Sequence, residues 1–139
     1  MDKSPKTLKL TIEKLHSSGL DIDDAKIVGI EFLEAQETKA QHHNFKKLTS
    51  LKINYFAPTG DKISDYPASP PFYRIRYLEQ DPHCVDKKQQ RYAQEPNTLP
   101  VAYYPQNIDW RDACHDVDTP LIITEGELKA AKACKEGFL

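Results

Sequence analysis

The chain has 139 residues, 39% of them hydrophobic and 29% charged, with ten prolines and a formal net charge of −2. That is the size of one domain with a modest core, and the recurrence of aliphatic and aromatic residues excludes a disordered polymer. Near-neutral charge excludes a protein drawn bodily to nucleic acid, so any such contact has to be local. With no apolar leader, no membrane-length apolar run and three cysteines that form no C-x-x-C pair, a soluble cytoplasmic protein with no membrane partner is expected.

Ser4 followed by Pro5 is an N-cap and first-turn signature, and Leu8, Ile12 and Leu15 recur at helical spacing until Gly19, so a helix is predicted over 5–18. Asp21 or Asp23 caps a second, shorter helix through Ala25, Ile27 and Val28, stopped by Gly29. The two helices form an N-terminal unit over 1–29 that either touches DNA or a partner or simply packs. Ile30, Phe32 and Leu33 then read as a short strand. The polar run 34–47 reads as a mobile loop, and His42-His43 within it reads as solvated rather than as a metal pair. Alternation of Leu51, Ile53 and Tyr55 with Lys52 and Asn54 predicts a half-buried strand. A turn at 57–61 leads to a returning strand at Lys62 and Ile63.

After a Pro-rich connector from Tyr66 to Pro71, the run from Phe72 to Leu78 alternates again, putting Tyr73, Ile75 and Tyr77 on one face and Arg74 and Arg76 on the other. Two guanidiniums about 7 Å apart along a strand match the spacing of neighbouring phosphates. With Lys87, Lys88, Arg91 and the aromatic Tyr92 nearby, the segment offers a basic and stacking surface for single-stranded nucleic acid or a nucleotide. The competing reading is an exposed sheet face whose arginines pair with Glu79 and Asp81. Residues 79–100 otherwise read as loop, Val101 to Tyr104 as a short strand, and Trp110 as a structural anchor. His83-Cys84 and Cys114-His115 are mirrored dipeptides, but adjacent residues are poorly spaced for one tetrahedral zinc. Asp116-Val117-Asp118 reads as a charged loop.

The last stretch carries the most specific pattern. Residues 121–124 are apolar or β-branched without alternation, which suits a strand covered on both faces, and Glu125 follows at its C-terminal end, where open α/β sheets place ligands. That position makes Glu125 a candidate metal ligand or catalytic acid/base. Gly126 permits a sharp turn, and from Glu127 a helix is predicted, with Leu128, Ala131 and Cys134 on one face and Gly137 as its stop. The free N–H groups at the start of that helix favour phosphate. An ordinary βα turn with a solvated Glu is the alternative.

The string Leu-Ile-Ile-Thr-Glu-Gly-Glu-Leu-Lys-Ala-Ala, residues 121–131, resembles the opening motif of the Toprim-like domains of phage and plasmid primase-helicase proteins. Ser18-Gly19-Leu20, the segment from Pro71 to Tyr77 and Ile108-Asp109-Trp110 resemble the region leading into that domain. The resemblance implies that Glu125 is an acid associated with Mg²⁺ and phosphoryl transfer, that Lys129 is a recurrent motif residue, and that Arg74, Arg76, Arg91 and Tyr92 contact DNA or RNA. It further implies an Asp-x-Asp pair on a later strand, which this chain lacks. Magnesium is therefore expected only in a completed centre, with a further Toprim or helicase portion or a partner subunit, and the chain alone is expected to be inactive. The implied function is the N-terminal part of a primase or replication protein of a mobile element. The alternative is a stand-alone nucleic-acid-binding or protein-interaction module without catalysis.

The fold class that follows is α+β: a small helical unit over 1–29, a β-rich region of mostly antiparallel short strands over 30–119, and the first strand-turn-helix unit of a Toprim-like core over 120–139.

Overall fold

The computed structural model describes residues 3–63, 71–84 and 88–139; most of the Pro-rich connector and Lys87 lie outside them. The class is α+β, as the sequence predicts. Helices α1 (Pro5–Ser17) and α2 (Ile22–Ile27) lead into strand β1 (Ile30–Leu33), followed by α3 (Ala35–Gln41), β2 (Ser50–Asn54), β3 (Tyr73–Tyr77), β4 (Tyr92–Ala93), a single turn α4 (Trp110–Ala113) and α5 (Glu127–Lys135). The strands form one sheet in the order β1-β2-β3-β4, antiparallel throughout.

Local chemistry accounts for the helix ends. Ser4 Oγ accepts from the Thr7 N–H with Pro5 in the first turn, and Asp21 and Asp24 form a reciprocal capping box at α2. Glu34 Oε1 and Oε2 in turn accept from the Ser4 N–H and Thr7 hydroxyl, each at 2.7 Å, tying the start of α1 to the start of α3. These donors hold the Glu34 carboxyl below its ordinary range.

The sheet is covered on both faces. Directly opposed residues share a face, so the register puts Ile30, Phe32, Leu51, Ile53, Arg74, Arg76 and Tyr92 together. The apolar members of this face pack with Leu15 and Leu20 from the α1 region, Ala25 and Val28 from the α2 region, and Leu128 and Ala131 of α5. The opposite face carries Leu33, Tyr73, Ile75 and Tyr77, covered by Phe45 and Leu48. A buried bond of 2.7 Å between the Thr38 and Ser50 hydroxyls fastens α3 there. Burying Leu128, only 5% exposed, contributes about 2 kcal/mol to the docking of α5.

Five elements differ from the sequence reading. Residues 35–41 form a helix where a mobile loop is expected, because Glu34 and Glu37 make a capping box and Thr38 is anchored in the core. Tyr92 and Ala93 pair with β3 inside a stretch read as loop. Residues 101–104 form no strand; they run irregularly between Pro100 and Pro105, with Tyr103 packed against the core beneath α1, α2 and α5. The returning strand at Lys62 reduces to one bridge with Phe56.

The fifth difference concerns 121–124. The segment is not part of the sheet, and Leu121 and Ile123 are 65% and 91% exposed. A strand exists only when a neighbour takes its N–H and C=O groups. Here the sheet is antiparallel from edge to edge, and among the described residues the segment makes one backbone bond, from the Ile122 N–H to the Leu139 carbonyl, at 2.5 Å. Glu125 thus precedes α5 from a bend rather than from a strand end.

Candidate nucleic-acid interface

Arg74 and Arg76 leave the helix-covered face of β3 near the short β4 edge. Both guanidiniums lie 4.8 Å from the centroid of the Tyr92 ring. A cation against an aromatic face is attracted by the ring quadrupole, so Tyr92 positions the two arginines. The local acids named as competing partners are occupied: Glu79 pairs with Lys6, and Asp81 pairs with Lys46 at 2.6 Å. Arg74 instead reaches across to Glu127 on the first turn of α5, with Nη1 donating to Oε1 at 2.8 Å. The Tyr55 hydroxyl donates to the same oxygen at 2.6 Å. Glu127 is 2% exposed, and burial together with this carboxylate raises the Tyr55 phenol above its ordinary range.

A groove of about 920 Å³ opens between the end of α1, the β3–β4 edge and α5. Seven of the site residues named from the sequence line it: Arg74, Arg76, Arg91, Tyr92, Glu125, Gly126 and Lys129. Sequence reasoning missed Lys14, Lys132 and Glu127, which also line it. Lys14 carries no local signal, because the 3.6-residue period of α1 marks only its apolar side; its place in the groove follows from how α1 crosses the sheet. Lys88 is exposed but does not reach the groove.

The groove is a positive island on a chain of net negative charge. Six cations and three carboxylates line it. Lys132 pairs with Glu136 and Arg74 with Glu127, whereas among the described residues Lys14, Arg76, Arg91 and Lys129 have no carboxylate partner. The Arg76 Nε is buried without a hydrogen-bond acceptor among the described residues. Burial, reinforced by Arg76 and Arg91 nearby, lowers the Lys14 ammonium below its usual range, as expected of cations gathered without counter-charge. Gly126, at φ 89°, starts α5 with no side-chain cap, so the first N–H groups of that helix add partial positive charge at the same place. The arrangement is chemically an anion cradle: guanidiniums that can fork onto phosphate oxygens, flexible ammoniums and a helix start.

A magnesium centre needs several oxygen ligands. Glu125 is exposed among groove walls dominated by cations, and among the described residues no three or more His, Cys, Asp or Glu side chains come together to hold a metal. The residues present do not fit that ion. The same finding covers His42-His43 and the two His/Cys dipeptides. Trp110 is a buried anchor, its indole N–H donating to the Pro105 carbonyl at 2.6 Å. No helix among the described residues is long and apolar enough to cross a membrane.

Fold and site together define a mixed α+β domain with a strongly basic concavity where the sheet edge and α5 meet. Compared with known proteins, the chain matches no family, no curated protein and no solved structure.

Proposed function

We propose that this chain binds single-stranded nucleic acid through the groove between α1, the β3–β4 edge and α5, as a module of a Toprim-like replication protein. The observation that carries the reading is the convergence of four cations without carboxylate partners, Lys14, Arg76, Arg91 and Lys129, on one concave surface at an uncapped helix start. The resemblance adds that its motif residues Glu125, Gly126 and Lys129 share this groove with the Arg-x-Arg segment, some fifty positions earlier in the chain. The role is binding rather than turnover.

The test is fluorescence anisotropy with a short single-stranded oligonucleotide across a salt series. With four cations each displacing about 0.7 counterion, log affinity should fall against log salt with a slope near −3. Arg76→Ala with Lys129→Ala should flatten the slope by about half and leave the fold unchanged. Binding that ignores salt, or that both substitutions leave untouched, would overturn the proposal.

A further inference from the structure

Behind the first turn of α5 lies a second cavity, of about 420 Å³, sharing Arg74 and Glu127 with the basic groove as common wall. Its other walls are aromatic and aliphatic, with Tyr55, Tyr103, Val101 and Leu121 among them, and the Tyr55 and Tyr103 rings meet edge to face at 5.1 Å. Two polar atoms buried in these walls have no hydrogen-bond partner among the described residues: Glu127 Oε2, an acceptor, and the Tyr103 hydroxyl, which can donate. Leaving such atoms desolvated and unpaired is unfavourable, and an apolar pocket with a few converging polar atoms is the usual form of a small planar-ligand site. An unmatched acceptor and an unmatched donor on the lining of one cavity call for the converse on the ligand, an N–H and a ring nitrogen or carbonyl on one edge. That is the Watson–Crick edge of a nucleobase.

We infer that the cavity takes one unstacked base of the strand held in the groove, Glu127 Oε2 accepting from the base N–H and the Tyr103 hydroxyl donating to the adjacent acceptor. The inference rests on the groove reading, since the phosphates there would deliver the base. It identifies the ligand as a nucleotide chain with intact base edges rather than any polyanion.

The experiment compares short oligothymidylate, the same chain carrying N3-methylthymine, and an abasic chain of equal length, all by anisotropy at one salt concentration. Methylation removes the N–H while leaving charge and stacking area nearly unchanged. A hydrogen bond to a charged, buried acceptor predicts roughly tenfold weaker binding of the methylated and abasic chains. Tyr103→Phe, which deletes only the unpaired hydroxyl and so should fold as well as the parent, should weaken oligothymidylate severalfold and leave the abasic chain unaffected. Equal, salt-dependent binding of all three chains would overturn the base pocket and leave the groove standing. Failure of every chain to bind would overturn both.

Discussion

Replacing Arg74 by Met tests the link between the sheet and α5. The thioether keeps most of the apolar stem's packing but removes the guanidinium from Glu127, whose side chain is 2% exposed against 32% for Arg74. Removing one partner of a fully buried ion pair costs about 3–5 kcal/mol, because the other charge is left uncompensated. Two features reduce that figure here. Arg74 is already about a third exposed, and the Tyr55 hydroxyl still donates to Glu127 Oε1. A loss of about 2–3 kcal/mol remains, a large share of the roughly 5–15 kcal/mol that stabilises a domain of this size. With a urea dependence near 2 kcal/mol per molar, the unfolding midpoint should drop by about 1–1.5 M. Arg76→Met, lacking any carboxylate partner among the described residues, should shift it by less than about 0.3 M while weakening nucleic-acid binding. The double variant Arg74→Met, Glu127→Leu should recover part of the loss, since it removes the buried charge as well. If Arg74→Met unfolds within about 0.5 kcal/mol of the parent, Glu127 is not held as described.

Two further predictions concern the scaffold. Gly29, at φ +74°, sits with Phe56 so close that an added Cβ would lie 2.6 Å from the ring edge, so Gly29→Ala should cost about 1–3 kcal/mol in thermal or urea unfolding; an unchanged midpoint would contradict that contact. Hydrogen bonds hold Glu34 and Glu37 below their ordinary carboxyl range, those of Glu34 from the Ser4 N–H and Thr7 hydroxyl, those of Glu37 from the Lys3 ammonium and Glu34 N–H. Groups depressed in the folded state stabilise it above their unfolded values and cease to do so as pH falls through the folded ones. Stability should therefore hold from neutrality to about pH 5 and decline below about pH 4, with Glu34→Gln flattening the decline in unfolding measured against pH.

Much of the scaffold was legible because it depends on local pattern. Ser4-Pro5 and the Leu8, Ile12, Leu15 period mark α1, Asp21 caps α2, and the alternation through Tyr73, Ile75 and Tyr77 sets both the β3 register and the side from which its arginines emerge. What escaped depends on partners remote in sequence. The helix α3 has no apolar stripe and is fixed by a cap and one buried hydroxyl pair. The run 121–124 has the composition of a covered strand but no neighbour to complete it. Glu127, an ordinary first-turn acid by composition, becomes a buried ion-pair partner only because Arg74 arrives from fifty-three positions away. The candidate groove was readable residue by residue, but not as one surface: its walls meet only once α1 and α5 pack on the same side of the sheet.

The bare ridge formed by Leu121, Ile122 and Ile123 has a practical consequence. Concentrated sulfate, the usual means of stripping polyanions from a basic cleft, also strengthens apolar adhesion by exclusion from the protein surface. Conditions that empty the cleft will therefore favour clumping along the ridge, so the cleanest preparations of this protein will come from chloride washes in dilute solution.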